Sequence, residues 1–274
     1  MMLGRFGFDT VKSLALKIKA YTKAVPIPFD LYVDSGGYSI ITGDVQFDST
    51  HKFIESYHQY LEHHNQDFNY IFSLDIPIWG GQDEHNTAEN LYKFNKISQS
   101  YSMKLLQQFP EKLQDKFLYV WQFKIIDQYK AWSKIYDELE VNQWIKNRAI
   151  GGLVSIRDAV AHLDCSVFIP MAYRCFSDHL DSPYAKEVFK LHFLGINLYQ
   201  DRFAIALLEK MFQFYSKGEE TTDITYDSIN YKMSGQFQAR SLQVYDYCDG
   251  HLILYKTVNH LPEEIVDKVY YTQS

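Results

Sequence analysis

The chain is poor in cysteine, with Cys165, Cys175 and Cys248 as the only three among 274 residues. Their number is odd and no paired spacing links them, which argues against a disulfide framework and favours a reducing compartment. The sequence has neither an N-terminal apolar signal core nor an apolar run long enough to cross a membrane. We therefore expect a cytoplasmic protein with no membrane partner.

An excess of basic residues is also missing, because the net charge is −7. Proteins that bind nucleic acids usually carry a basic footprint, although a local patch can suffice. We find no low-complexity linker, internal repeat or domain boundary, and this length can bury a sizeable core. One domain over residues 1–274 is expected, with residues 235–274 as a C-terminal extension.

Short apolar runs alternate with helical patterns along the chain. Strands are predicted at residues 31–33, 70–74, 117–121, 149–150, 167–170, 193–196 and 224–226, and helices at 51–64, 87–109, 128–146 and 200–217. The pattern further predicts a strand at 3–8, a helix at 11–22, a hairpin of 237–247 with 251–258, and a helix at 263–269. Strand–helix alternation predicts an α/β fold with a parallel sheet.

Polar residues or glycines follow many of the predicted strands. In a (β/α)8 TIM-type barrel all strand ends converge on one rim, whereas a doubly wound sheet concentrates its site at one crevice. The distribution favours the barrel. Because only six or seven strands are found, we expect the barrel to be irregular or incomplete at its N-terminus, with the hairpin as a C-terminal extension.

The most informative motif runs from Asp34 through Ser35, Gly36 and Gly37 to Tyr38 at the end of a predicted strand. It places a carboxylate, two glycines and an aromatic ring where backbone can approach a ligand closely. A G-D-S-G-G-P run also surrounds the nucleophile of chymotrypsin-like proteases. Here no glycine precedes the motif, no proline follows it, and the cysteine pattern of a secreted protease is missing, so a protease is disfavoured.

The following strand ends carry further short motifs: Leu74-Asp75, Trp121-Gln122, Gly151-Gly152-Leu153, Phe193-Leu194-Gly195 and Tyr226-Asp227-Ser228. Together with the Asp34 motif, this succession resembles the tRNA-guanine transglycosylase superfamily. Its members carry D-S-G-G-F/Y, F-D, V-Q-G, G-G-L, L-M-G and F-D-C/S in that order on a barrel. The resemblance extends from about Asp34 to Gly250 and implies replacement of guanine by a 7-deazaguanine, such as preQ0, in a polynucleotide.

The resemblance also implies catalytic roles for two carboxylates. Asp227 matches the nucleophile that attacks C1′, and Asp34 matches the group that handles the proton of the exchanging base. Asp223, four residues before Asp227, and Asp246 in the next predicted strand remain alternatives for the nucleophile. The alternative for Asp34 and Asp75 is a purely structural role, in which each carboxylate caps a helix or turn.

Base recognition is implied for a second set of residues. Asp75 and Gln122 have the polarity required by a guanine edge, and Tyr38 would stack on the base. Main-chain groups of the Gly151, Gly152 and Leu153 run would face the 7-substituent, and Ser35, Gly36 and Gly37 complete the predicted pocket. Arg174, Lys232 and Arg240 are candidates for phosphate contacts.

The chain departs from the family at several positions. Ser39 replaces a glutamine, Phe123 and Lys124 replace a glycine pair, and residues 228–232 replace a proline-threonine-arginine run. The family's zinc ligands, C-x-C-x-x-C with a distant histidine, lie beyond the nucleophile, where this chain has Cys248 alone. We therefore expect no zinc and no other cofactor.

A short member without the tRNA-specific parts is most similar to the transglycosylases of phages and bacteria that place 7-deazaguanines in DNA. DNA is therefore favoured over tRNA as partner, in the host cytoplasm if a phage encodes the chain. A non-catalytic base-binding subunit and a nucleoside hydrolase remain alternatives, and a protein partner or a homodimer is left open. His58, His63, His64 and the run Asp83-Glu84-His85 are interpreted as solvated surface rather than metal ligands.

Overall fold

The structure is a computed structural model that describes residues 30–122, 126–152, 165–196, 199–216, 222–227, 244–248 and 251–255. The chain divides into two compact units, Met1–Asp227 and Ser228–Ser274. The elements predicted at 3–8, 11–22 and 263–269 lie outside the described residues, as do Leu153, Lys232 and Arg240. One domain with an extension from residue 235 stays a prediction.

The first unit alternates strands and helices, which confirms the α/β class. Its strands are β1 (Tyr32–Val33), β2 (Tyr70–Phe72), β3 (Phe117–Gln122), β4 (Asn147–Gly151), β5 (Phe189–Phe193) and β6 (Thr222–Tyr226). Its helices are α1 (Tyr38–Ile41), α2 (Thr50–His64), α3 (Ala88–Gln108), α4 (Pro110–Leu113), α5 (Ile126–Glu138), α6 (Val141–Trp144), α7 (Cys165–Leu180) and α8 (Tyr199–Tyr215). The strands pair in parallel and in sequence order, from β1 at one edge to β6 at the other.

The six-stranded sheet curls into a half-barrel. Lys190 on β5 links its two edge strands, because its Nζ lies 2.9 Å from the hydroxyl of Tyr32 on β1 and 2.8 Å from Oδ2 of Asp223 on β6. The Tyr32 ring also lies 5.4 Å from the His192 ring of β5. Side chains of β1 can meet those of β5 and β6 only when the sheet is strongly curved.

The two faces of the sheet bury different side chains, since successive residues of a strand point to opposite sides. Phe72, Leu118, Val120 and Ala149 form a small apolar cluster on the concave face. The alternate residues, such as Tyr119 and Trp121, join the larger core that packs against the helices. The polar Lys190 and His192 lie on the concave face below the carboxyl ends of the strands.

The strand predicted at 167–170 is wrong, because these residues lie within α7. A short apolar run is typical of a buried strand, but here the buried positions recur with the helical period, at Met171, Ala172, Cys175 and Phe176. The helix predicted at 128–146 is instead two helices, α5 and α6. The break falls at Glu140, whose φ of 49° is incompatible with a continuous helix.

In the second unit, the predicted hairpin is confirmed over strands β7 (Val244–Cys248) and β8 (His251–Tyr255), which pair antiparallel, while its predicted extensions at 237–243 and 256–258 lie outside the described residues. In the described part of the chain, no helix combines the length and apolar character needed to cross a membrane.

Lys190→Met is expected to destabilise the half-barrel by about 2 kcal/mol, within the range for hydrogen bonds to a charged group. The substitution keeps the aliphatic stem but leaves the Tyr32 hydroxyl and the Asp223 carboxylate without their shared partner. Urea unfolding measures the change. Lys186→Met at an exposed position is the matched control, and equal stability of the two variants would contradict a linking role for Lys190.

Candidate active site

The carboxyl ends of the strands bring several predicted site residues to the same rim. Asp34, Gln122, Gly151 and Asp227 each come two residues after a residue that faces the concave side, namely Tyr32, Val120, Ala149 and Thr225. A spacing of two keeps a residue on the same face of a strand. The register therefore directs all four toward the mouth of the half-barrel.

The loop after β1 is organised around its own side chains. The Gly36 N–H donates to Asp34 Oδ1 at 3.1 Å, and the Gly37 N–H donates to Ser35 Oγ at 3.4 Å. Ser35 in turn donates its hydroxyl to Asp75 Oδ1 at 3.2 Å. These contacts connect the motif after β1 directly to the carboxylate that follows β2.

Asp75 is held in place by α3. The Asn95 amide accepts from the Ile76 N–H at 2.7 Å and donates to the Ile76 carbonyl at 2.8 Å, while Ser98 and Gln99 both donate to the Leu74 carbonyl. The chain on either side of Asp75 is thus fixed by buried hydrogen bonds. Such support preorganises a functional side chain because its backbone cannot relax away.

The carboxyl groups of Asp34, Asp75 and Asp227 interact electrostatically. Burial raises the pKa of Asp75 to about 7, and the negative charge of Asp34 contributes to the shift. Burial also raises the pKa of Asp34, against the opposing hydrogen bond from Gly36. Like charges at one site favour retention of a proton by one of them. The three groups therefore form a connected carboxyl cluster.

Asp227 lies at the open side of this cluster. Its carboxylate accepts a hydrogen bond from the Gly195 N–H, its N–H donates to the Phe193 carbonyl, and its carbonyl accepts from the Ile196 N–H. The residue is solvent-exposed, yet desolvation by neighbouring protein atoms raises the pKa of its carboxyl, and the charge of Asp34 raises it further. An anchored carboxylate with an open face suits attack on a bound ligand.

Of the two alternative nucleophiles, Asp223 lies four residues before Asp227 on β6 and pairs with Lys190 below the rim. Its carboxylate is thereby engaged in holding the sheet edges together. Asp246 belongs to the hairpin of the second unit. The described contacts favour Asp227 over Asp223, while the role of Asp227 itself stays a prediction.

Gln122 and Gly151 lie side by side as register partners on β3 and β4. A Cβ built on Gly151 would come within 2.5 Å of Gln122 Oε1, so the amide lies over the glycine. Gly152 follows at the strand end. Tyr38 begins α1 and is 43% exposed, which leaves its ring available for stacking.

Arg174 does not join this group. Its guanidinium donates to Tyr129 Oη at 3.1 Å and to Ser133 Oγ at 2.9 Å between α5 and α7, and it pairs with Asp137 and Asp178. It also lies 5.3 Å from the centre of the Trp121 ring on the helix side of the sheet. These contacts occupy the side chain, so the structure does not favour a phosphate contact at Arg174.

Two further residues lie close to these groups: Tyr57 interacts with the carboxyl cluster, and His192 lies below it on the concave face. Tyr57 of α2 is buried and donates its hydroxyl to the Phe72 carbonyl at 2.5 Å. Burial raises its pKa well above the usual range, and the charges of Asp34 and Asp75 raise it further. His192 lies on the concave face, 2.8 Å from Thr225 Oγ1, and burial lowers its pKa to about 4. Tyr57 follows the apolar stripe of its helix and His192 lies within a strand, so neither stands out in sequence.

The interpretation of His58 as solvated surface is wrong. His58 is buried on α2 and bonds to the Ile54 carbonyl and to Ser102 of α3. It therefore joins two helices as a neutral side chain, since burial lowers its pKa to about 4. Over the part of the chain that the structure describes, no group of three or more His, Cys, Asp or Glu residues could hold a metal ion.

No family model matches this chain, and no curated protein matches it. The chemistry must therefore be argued from the site. Asp34 interacts with both Asp75 and Asp227, and Asp227 is exposed and anchored. Such a carboxyl cluster can combine nucleophilic attack with proton transfer at a single ligand. The neighbouring amide of Gln122 and the Tyr38 ring could hold a planar polar molecule there.

The close contacts of Gly37 and Gly151 lead to opposite expectations for alanine. A Cβ on Gly37 would come within 2.7 Å of the Asp75 carbonyl oxygen, whereas the one close contact of a Cβ on Gly151 would be with the movable end of Gln122, its contact with Val120 being an ordinary 3.4 Å. Gly37→Ala should cost about 1–3 kcal/mol of stability, as overpacking does. Gly151→Ala should cost much less and shift the Gln122 amide. Urea unfolding of both variants measures this contrast, and equal losses would contradict it.

Proposed function

We propose that this chain is a base-exchange transglycosylase that replaces guanine by a 7-deazaguanine of the preQ0 type in a polynucleotide, with DNA favoured over tRNA. The observation that carries the proposal is the carboxyl cluster of Asp34, Asp75 and Asp227, which arises from three separate strand ends. The resemblance to the transglycosylases implies a distinct role for each member: attack for Asp227, proton transfer for Asp34 and base recognition for Asp75. The proposal includes completion of the curled sheet to a (β/α)8 barrel.

In the first step, an ionised Asp227 oxygen attacks C1′ of the target nucleotide. The C1′–N9 bond breaks, its electron pair leaves with the purine, and an Asp227–C1′ ester bond forms. Asp34 transfers its proton to the departing guanine, which leaves as a neutral base. The raised pKa of Asp34 suits a proton donor, because it keeps the group protonated at higher pH than an ordinary aspartate.

The second step reverses the first with a different base. The N9–H of the incoming 7-deazaguanine gives its proton to Asp34, N9 attacks C1′, and the ester bond to Asp227 breaks. The carboxylate is regenerated and the polynucleotide backbone stays intact throughout. Asp75 and Gln122 would bind the polar edge of either base, and Tyr38 would stack on its face.

The target base must leave its stack to reach a site at the mouth of a half-barrel. Base flipping costs a few kcal/mol, least in single strands or distorted duplex. A single-stranded region is therefore the best first substrate.

A nucleoside N-glycosidase that uses water in place of the second base is the rival proposal. It is supported by the net charge of −7 and by the engagement of Arg174 with protein groups, since free nucleosides require no polynucleotide contacts. The same carboxyl cluster would serve this reaction.

Incorporation of radiolabelled guanine and of a labelled 7-deazaguanine into DNA and tRNA, in parallel, tests the proposal. Label in single-stranded DNA is the expected result, while label in tRNA alone would retain the chemistry and change the substrate. Release of guanine from guanosine or deoxyguanosine, without incorporation into either polymer, would replace the proposal by the rival.

A further inference from the structure

Helix α8 carries a row of exposed apolar side chains on the face opposite to its buried face. Phe203 is 74% exposed, Leu207 is 51% exposed and Phe214 is 81% exposed. Ala204, Ile205, Leu208 and Phe212 are buried and secure the helix to the core. Two exposed phenylalanines on one helix are costly in water, and large exposed apolar patches mark interaction surfaces.

The exposed row is symmetric about the middle of the helix. Phe203, Leu207, Lys210 and Phe214 are separated by four, three and four positions, so the order of spacings is the same in both directions. Residues at these spacings lie along one side of an α-helix. We call these four residues the α8 stripe.

A second copy of the α8 stripe, turned antiparallel about a two-fold axis, matches the first. The axis would pass between Leu207 and Lys210, so that Phe203 of one copy meets Phe214 of the other at both ends. Leu207 would meet the aliphatic stem of Lys210, whose ammonium bends aside to Gln213 Oε1 at 3.0 Å. Two-fold dimers require such a self-complementary surface.

Neighbouring rings enlarge the surface around the α8 stripe. Tyr215 is 54% exposed and lies 6.4 Å from the ring of Tyr173 on α7, which is 50% exposed. Because an aromatic side chain has about 150–250 Å² to bury, these two rings and the apolar residues of the stripe expose on the order of 600 Å² per copy. A standard interface buries about 800 Å² per partner, so this surface supplies most of one.

We propose that the chain forms a two-fold symmetric homodimer through an antiparallel contact between the α8 stripes of two copies. The contact uses knobs-into-holes packing of one helix against its mate and leaves the carboxyl cluster outside the interface. It is independent of the reaction that the carboxyl cluster carries out.

Analytical ultracentrifugation over a range of protein concentrations tests the dimer. The full chain should dimerise, and Leu207→Lys should raise the dissociation constant at least tenfold, because it places a second ammonium opposite Lys210 of the other copy on both sides of the axis. Val188→Lys is the matched control, since Val188 is also apolar and 50% exposed but lies outside the stripe. Circular dichroism checks that both variants keep the native fold.

A pair of double variants tests the antiparallel register itself. Phe203→Glu with Phe214→Glu places like charges opposite each other and should give a monomer. Phe203→Lys with Phe214→Glu places opposite charges across the axis and should dimerise at least tenfold more tightly than the first pair. A chain that stays monomeric at every concentration, or a dimer that is insensitive to Leu207→Lys, would overturn the proposal.

Discussion

Replacement of Asp227 by asparagine is expected to abolish guanine exchange while leaving the fold intact. An amide cannot supply the attacking oxygen anion, so the Asp227–C1′ ester cannot form. The asparagine oxygen can still accept the hydrogen bond of the Gly195 N–H, which preserves the strand end. The exchange rate should fall by more than roughly 10³-fold, a scale typical of removing a covalent nucleophile.

Asp181→Asn provides the control for this loss, because Asp181 is exposed at the end of α7. Its exchange rate should equal that of the unmodified chain. If Asp227→Asn retained full activity, the nucleophile would have to be assigned elsewhere and the proposed reaction sequence would be lost.

Asp75→Asn is expected to stabilise the protein at neutral and alkaline pH even as it removes activity. The pKa of Asp75 is about 7 in the folded protein against 3.8 for the ordinary group. Between these values the folded state holds a proton that the unfolded state has released, so the free energy of unfolding falls as pH rises. Well above pH 7 the folded protein bears the full cost of an ionised, buried Asp75. A pKa difference of this size lowers the free energy of unfolding by about 4 kcal/mol.

The stabilisation by asparagine should therefore depend on pH in a defined direction. At pH 4, where Asp75 is protonated in the folded state, the free energy of unfolding of the variant should exceed that of the unmodified chain by little. At pH 8 it should gain about 2–4 kcal/mol, provided that Ser35 still donates to the new amide oxygen. Urea unfolding at both pH values measures the difference, with Asp181→Asn as control, and a gain that is equal at both would contradict a buried, proton-retaining Asp75.

Most of the half-barrel could be predicted from the sequence because its strands are short apolar runs with clear ends. The strands that carry Asp75, Gln122, Gly151 and Asp227 lie within a few residues of their predicted positions. The helices α2, α3 and α8 follow from apolar periodicity and begin and end within about two residues of expectation. The polar residues that follow the strands then converge, since parallel strands share one rim.

Features that depend on tertiary contacts could not be predicted. The run at 167–170 is too short for its period to distinguish a strand from a helix, and the break at Glu140 leaves no mark such as proline or glycine. Nothing local distinguishes Lys190 from other charged residues, because its contacts with Tyr32 and Asp223 arise only from the curvature of the sheet. The position of Arg174 leaves no local mark either, because its partners Tyr129 and Ser133 belong to α5, more than 40 residues away in sequence.

The shift in the pKa of Asp75 likewise arises from its surroundings. Sequence places a carboxylate after β2, but its burial follows from α3 and from the contact with Ser35. The nearness of Asp34 adds a like charge that no local pattern reveals. Such a cluster costs stability, and its persistence in a folded chain is typical of functional sites.

Mass spectrometry of the denatured protein, after incubation with a guanine-containing single-stranded oligonucleotide and no acceptor base, tests the central claim most directly. Base exchange through Asp227 predicts an adduct equal in mass to the oligonucleotide without its guanine, mapped to the peptide that contains Asp227 and missing from Asp227→Asn. Guanine released without any adduct, or an adduct on another residue, would contradict the account.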